Sequence, residues 1–415
     1  MNKTHQLNMI VWNEFLNDAR VLKESETLQK SGVTVTVFSL HTPGKTKESE
    51  ILASGVKVHR VARSPFWQLR GKHKPCNTLK KQSSVVTAKP KSMATHRQLL
   101  RLIARLSTHA SLCYQMVKSK PDVIHAHDVN VLPTAWLASK ICRVPLVYDA
   151  HEISTSREGY QAFRKVVGWV EKKLMPKAVA TITTTDMRAK FFARAYGVPR
   201  PVVLQNRPCL NTENTVSFNR NRLREELALG NSEWPIIVYQ GGLQQGRGLP
   251  KLVKSAELVP NAYFIFIGGG RQTAELMQLT EQLKLTERVK FIPTVALAEL
   301  PEYTASADIG VQPIENTCLN HFSTDSNKLF EYVLAGIPVV ATDFPEIRKV
   351  VNKYKVGEVV KPDCVKSLAD VLNKLVNDPK LRELYKVNAI KAAPQLCWQE
   401  QEHKLVDIYQ QVFNS

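Results

Sequence analysis

Between Glu50 and Asp122 the chain has no acidic residue. That 71-residue gap holds fifteen Lys and Arg, which leaves 42 basic against 37 acidic residues everywhere else. Three quarters of the net charge of +20 therefore sits in one N-terminal segment. Such a segment suits an anionic surface, where each Lys or Arg contributes about 1 kcal/mol. Nucleic acid would satisfy the charge alone, and a solvated loop around Lys72–Lys91 is the plainer alternative. Other absences narrow the field. No run approaches the roughly 18 apolar residues of a membrane span. The start has no signal-peptide core, because Trp12-Asn13-Glu14 interrupts it. Seven scattered cysteines form no Cys-x-x-Cys pair, so reduced thiols in a cytosolic chain are expected. No Gly-x-Gly-x-x-Gly opens a helix with an acid following a second strand, which disfavours an NAD-dependent dehydrogenase.

What is present is a regular alternation of apolar strands and helical patterns. Strands are expected at Leu7–Val11, Val33–Ser39, Val56–Val61, Val123–Ala126, Leu146–Asp149, Ala178–Thr183 and Val202–Leu204. After a polar stretch, Pro208–Trp234, the scheme repeats at Ile236–Tyr239, Tyr263–Ile267, Val289–Phe291, Ile309–Val311, Val339–Ala341 and Glu358–Val360. Alternation of this kind predicts parallel, doubly wound sheets, whose ligands bind beyond the carboxyl ends of the strands. Ala94–Lys118 reads as a helix. Leu99, Leu100, Ile103, Leu106, Leu112 and Met116 form an apolar stripe on it, with Arg97, Arg101 and Arg105 beside the stripe. It fits either a membrane-interfacial helix or one packed on a sheet with its arginines in water.

Four stretches carry candidate chemistry. In STDSNKLFEYVLAGIPVVAT, Asn327 is placed to cap a helix. Lys328 and Glu331 share one face of that helix, and Gly336 with Pro338 ends it before a buried strand. A helix N-terminus beside a lysine suits phosphate. A carboxylate one turn on can accept hydrogen bonds from two sugar hydroxyls. In YQGGLQQGRG, Gly241 and Gly242 let backbone approach a diphosphate and Arg247 offers a bidentate fork. In FIFIGGGR, Gly268 and Gly269 fit a close approach of the same kind, with Pro293 on the neighbouring strand end. PDVIHAHD and LVYDAHEIS bring His127, Asp128, Asp149, His151 and Glu152 to one sheet edge. His-x-His with carboxylates raises a metal. But His125 and His127 point the same way in a strand and no ligand set with helical spacing follows, so no metal is expected. A satisfied structural His127 is the alternative to a functional one. Near the N-terminus, Asn17 and Asp18 either cap a helix or line a pocket.

The stretch from Tyr239 to Val350, and NKLFEYVLAGIPVVAT above all, closely resembles the donor site of retaining glycosyltransferases of family 4. The resemblance covers nearly the whole chain. It implies the α/β GT-B fold: two Rossmann-like doubly wound domains facing a cleft, with a C-terminal helix crossing back to the first domain. The implied layout is an acceptor-binding domain over 1–207, a linker over 208–234, a nucleotide-sugar domain over 235–394 and a returning helix over 395–415. Trp398, Leu405, Ile408, Tyr409 and Val412 would be that helix's packing face. By the resemblance, Glu331 binds the ribose, Arg247 and Lys328 neutralise the departing diphosphate, and His127 positions the donor sugar. Gly241, Gly242, Gly268, Gly269, Pro293 and Asn327 complete the donor pocket. Asn17, Asp18, Asp149 and His151 are assigned to the acceptor.

Two departures from the family pattern stand out. Ser323 replaces the first Glu of Glu-x7-Glu, and Gly242 stands where an Arg is frequent. The chain also lacks Asp-x-Asp, in keeping with a metal-independent donor site. The expectation is a retaining, hexosyl-type transferase without cofactor. It would move sugar from a nucleotide diphosphate to a polysaccharide or lipid-linked acceptor in cell-surface glycan synthesis, lipopolysaccharide included. It would be cytoplasmic, with residues 57–120 on an anionic inner-membrane face and no nucleic acid partner. An epimerase on the same scaffold, or a binding subunit without turnover, is the rival reading.

Overall fold

The computed structural model describes residues 4–63, 95–210, 219–231 and 233–414. The loop expected around Lys72–Lys91 lies outside them. Two compact units emerge. The first comprises Met1–His151, Val167–Thr181 and Ile408–Ser415; the second comprises Glu152–Val166 and Ile182–Asp407.

The first unit is built on strands β1 (Gln6–Ile10), β2 (Thr34–His41), β3 (Ser49–Ile51), β4 (Lys57–Ala62), β5 (Val123–His127) and β6 (Leu146–Ala150). The unit boundary falls within β7 (Ala180–Thr183), and β8 (Val202–Val203) pairs with its end. The sheet order is β3-β4-β2-β1-β5-β6-β7-β8, with the short, unforeseen β3 antiparallel on β4. The order reverses between β1 and β5, which places a topological switch point there. The helix Ala19–Lys30 starts where the Asp18 carboxylate accepts from the Val21 N–H at 3.2 Å, so Asp18 is a cap. The last eight residues also belong to this unit. His5 stacks on Phe413 with centroids 4.0 Å apart, and Tyr409 meets His125 at 2.8 Å.

The helix Thr95–Lys118 divides the expected stripe in two. Leu112 and Met116 are buried, whereas Leu99, Leu100, Leu102, Ile103 and Leu106 are about half exposed or more. The C-terminal half is packed in the unit, and the stretch from Leu99 to Leu106 presents leucines to solvent.

The second unit holds a six-stranded parallel sheet, β9 (Ile236–Gln240), β10 (Tyr263–Ile267), β11 (Val289–Ile292), β12 (Ile309–Gln312), β13 (Val339–Thr342) and β14 (Gly357–Val360). Its order, β11-β10-β9-β12-β13-β14, switches between β9 and β12. Both faces are covered, so β9 and β10 are apolar runs buried at every position rather than alternating ones. Packing over β12 depends on one missing side chain. A Cβ on Gly310 would stand 2.3 Å from Cγ of Tyr332, whose ring fills that space and whose hydroxyl donates to the Val311 carbonyl at 3.1 Å. The described part of the stretch between the halves carries a short helix, Arg222–Glu226.

Candidate functional site

At the switch point of the second sheet, the loops after β9 and β10 are laced together. The Gly241 N–H donates to the Ile267 carbonyl at 2.8 Å, the Leu243 N–H to Gly269 at 3.1 Å and the Gly268 N–H to Ile292 at 2.9 Å. Two glycines make this possible. Gly268 has φ +136° and a Cβ there would strike the Gly241 carbonyl oxygen at 2.2 Å. Gly241 has φ +116°, and its missing Cβ leaves room for Lys328, whose Cε would lie 2.9 Å away. The Tyr239 hydroxyl donates to the Gly242 carbonyl at 3.1 Å, and the Lys328 ammonium lies 5.4 Å from the Tyr239 ring centre. Gly269, Gly242 and Pro293 line the exposed rim.

Lys328 leaves the first turn of the helix Asn327–Leu334. Its pKa is lowered to about 8 by burial and by the Arg247 guanidinium, with Glu331 opposing. No ion pair or hydrogen bond holds Arg247 among the described residues, and it is half-buried. Two cations close enough for one to lower the pKa of Lys328, at a helix N-terminus and a glycine turn, form a place for a polyanion. Glu331, one turn on, accepts at Oε2 from Gln240 Nε2 at 2.6 Å, and Gln240 Oε1 in turn accepts from the Thr304 hydroxyl at 2.7 Å. That chain fixes the carboxylate with Oε1 unbonded among the described residues. Gln240, Thr304 and Tyr239 had no role in the sequence reading. Gln240 sits immediately before the glycine pair, but nothing local marks Thr304.

One detail is corrected. Asn327 is the first helical residue, not the cap. Ser326 occupies the cap position with φ +51° and without a side-chain cap bond. Such a backbone is strained for a non-glycine residue. Ser323, in place of the family Glu, is buried. Its Oγ accepts from Arg188 Nε at 3.3 Å, and its carbonyl accepts from the Thr185 hydroxyl at 3.0 Å.

The first unit's switch point carries the His and carboxylate cluster. Arg20 grips Asp149 with two bonds, Nε to Oδ2 at 2.7 Å and Nη2 to Oδ1 at 3.0 Å. Parallel register sets His127 opposite Asp149, with Nδ1 and Oδ2 3.5 Å apart. His151 Nε2 is 3.1 Å from the same oxygen. Burial pulls His151 down, but Asp128 and Asp149 outweigh it and raise its pKa to about 9. Burial resists the Asp149 charge as well, yet Arg20 and His151 hold it well below the usual carboxylate range. Asp149 and His127 are 0% and 2% exposed, so neither opens to a ligand as expected. Their charges and rings are consumed by each other. His151 is half-buried and stands at the edge of the cluster, while Asn17 is exposed and Asp18 is engaged by Val21 and by Asn13 at 2.7 Å. Glu24, fully buried against Arg20 at 3.1 Å, is a member the sequence did not reveal.

These two α/β units with parallel sheets define a GT-B glycosyltransferase. Residues 18–207 match the glycosyl transferase 4-like domain and residues 220–392 match glycosyl transferases group 1; the chain belongs to this glycosyltransferase family. It is a nucleotide-sugar-dependent transferase, and a retaining, metal-independent reaction is consistent with that membership. It is 26% identical over 412 residues to a D-inositol 3-phosphate glycosyltransferase of Xylanimonas cellulosilytica, covering 94% of this chain and 90% of that one. It superposes on the sucrose-phosphate synthase of Thermosynechococcus elongatus with TM-score 0.77, 17% identity and 99% of both chains covered. Anabaena Alr3699/HepE, solved in complex with UDP-glucose, gives TM-score 0.73 and 18% identity over 98% of this chain and 99% of that one.

Proposed function

We propose that the second unit binds a nucleotide-diphosphate hexose and that the chain transfers the sugar, with retention, to a glycan or lipid-linked acceptor of cell-surface polysaccharide. The observation that carries this is the pair Arg247 and Lys328, two mutually repelling cations beside a glycine turn and a helix N-terminus. They neutralise charge as it develops on the departing diphosphate, which is usually the largest catalytic contribution in such a site. They do so without a metal on the diphosphate. Glu331, held by Gln240, accepts from the ribose hydroxyls. In the first unit the buried His127 acts through its neighbours, and His151 with Asn17 and Asp18 serves the sugar and acceptor. The acceptor attacks from the face the nucleotide leaves, and a diphosphate oxygen takes its proton. No side-chain nucleophile is required, and none is assigned.

The solvent-facing leucines of the helix Thr95–Lys118, with Arg101 beside them, favour an anionic membrane surface as the place of work. No helix among the described residues is long and apolar enough to cross a membrane. This reading has the enzyme lying on the cytoplasmic face.

The test is thermal-shift binding against UDP, GDP and dTDP sugars without added metal, on wild type and Glu331→Ala. One nucleotide sugar should stabilise the wild type. The variant should bind it roughly 10- to 100-fold more weakly, the value of one or two hydrogen bonds to a charged group. Absence of a shift with every donor would mean that the site no longer binds nucleotide sugar.

A further inference from the structure

The donor helix Asn327–Leu334 starts from a backbone that local preference does not support, since Ser326 has φ +51° and no side-chain cap bond. Strain of this kind persists only where the surroundings over-determine it. Leading into Ser326 is the stretch 319–326, a helical turn, Leu319–Phe322, and the four residues after it. Within the second unit that stretch is fastened to a helix for which the donor site has no other use.

Arg188 is the centre of the fastening. It lies in the first turn of the helix Asp186–Tyr196 and is buried. All of its guanidinium nitrogens donate. Nε reaches the Ser323 hydroxyl at 3.3 Å, Nη2 the Asn320 carbonyl at 3.0 Å and Nη1 the Thr184 hydroxyl at 2.6 Å. Thr185 caps the same helix by accepting from the Arg188 N–H at 3.3 Å, and it donates to the Ser323 carbonyl at 3.0 Å. One helical turn therefore holds Ser323 by its side chain and by its backbone. Serving separate acceptors from one rigid fork suits a guanidinium, whereas an ammonium is a point donor on a flexible stem. The other buried residues of the stretch are tied in as well. Asn320 exchanges two bonds with the Ile153 backbone, at 2.8 and 3.0 Å. Asp325 accepts from Gln205 Nε2 at 2.8 Å. Burial raises the Asp325 pKa, and the Gln205 bond and the Arg188 charge oppose it.

Ser323 stands where the family has its first Glu, yet it is 1% exposed with its hydroxyl on Arg188. The side chain at 323 therefore faces the interior of the unit. We propose that Arg188 is a positioning residue for the donor. Through Ser323 and Asn320 it holds the stretch 319–326 and the strained Ser326 backbone, so that the helix N-terminus and Lys328 meet the diphosphate. This role rests on the donor-site reading above. Position 323 contributes through a guanidinium behind the loop and not through a carboxylate in front of it.

Hydrogen exchange on the full chain is the first readout. Arg188→Gln should lose amide protection over 319–330 while β10 and the helix Val365–Asn377 keep theirs. Affinity is the second, for whichever of UDP-glucose, GDP-mannose and dTDP-glucose binds the wild type. Arg188→Gln should weaken it about 10- to 100-fold, the loss of one or two charge-assisted bonds at a displaced helix N-terminus. Arg188→Lys should recover part of that. Ser323→Glu should cost more in the Arg188→Gln background, where its carboxylate is buried without a cation, than in wild type. If Arg188→Gln does not fold, Ser323→Ala removes one fastening alone and should show the same local exchange in smaller degree. Unchanged protection over 319–330, or protection lost equally across the chain, would overturn the positioning role. An equal effect of Ser323→Glu in both backgrounds would overturn it too, by turning that side chain toward the donor. A wild type that binds none of the three sugars would overturn the donor-site reading and the donor role with it, while exchange still shows whether Arg188 holds the loop.

Discussion

Single residues in the donor site can be ranked by what each holds. Lys328 must be protonated to meet a diphosphate, and its pKa in the free protein is about 8. A bound dianion raises that value, so binding takes up a proton above about pH 8. Nucleotide affinity should fall as pH rises beyond that point, by up to about tenfold per unit. Isothermal titration from pH 6.5 to 9.5 checks this, and Lys328→Met should be weak at every pH with the slope gone. The adjacent glycines Gly241 and Gly242 predict opposite outcomes. Gly241→Ala drives a methyl into the Lys328 side chain in a left-handed backbone, and should weaken donor binding about tenfold or more. Gly242 meets nothing closer than Gln244 at 3.5 Å and is exposed. Gly242→Arg should therefore be tolerated and should tighten the nucleotide, restoring the cation that the family often has. Equal loss in both variants would show that the turn, not the cation pair, limits binding.

Among the elements, the strands were legible because buried parallel strands are written as unbroken apolar runs, as in β9 and β10. The helix Asn327–Leu334 was legible from its period and from the Gly336 stop, but not its cap. Asparagine is a good cap by type, whereas Ser326 holds the position through an unusual backbone that no local preference announces. The His cluster was half legible. His125, His127 and Asp149 sit on strand ends that the sequence displays, while Glu24 arrives from a helix about a hundred residues earlier. Sequence spacing cannot express that meeting. The helix Thr95–Lys118 gives an element-scale test. Changing Leu99, Leu102 and Leu106 to Ser removes three exposed apolar groups, each worth about 2 kcal/mol on a lipid surface. Partition onto anionic vesicles should drop more than tenfold while Tm stays within error. Unchanged partition would place the attraction in the charges alone.

For the whole molecule, charge and closure dominate. Three quarters of the excess of +20 lies in one segment of the sequence, so attraction to an anionic surface should depend strongly on salt. Its effect should be screened steadily between 50 and 500 mM salt, where the Debye length shrinks from about 14 to about 4 Å. Closure rests on Tyr409, whose hydroxyl serves His125 inside the first unit. Tyr409→Phe leaves that nitrogen unpaired and should cost about 1–3 kcal/mol, seen as a lower Tm. The compact units and the family matches divide the chain at different places. The family matches fall at 18–207 and 220–392, whereas contacts assign Ile182–Asp407 to the second unit and Ile408–Ser415 to the first.

That last assignment bears on how the molecule is made. Residues 408–414 are synthesised after the whole second unit, yet Phe413 stacks on His5 and Tyr409 reaches His125. Domains usually complete themselves in order as they leave the ribosome. Here the first unit waits for residues made after the second, so until Ile408 and its successors emerge it is an unfinished layer with an uncovered strand face. A pause before Ile408 is made, or a cut before it, would leave that face available to chaperones and proteases for as long as the delay lasts.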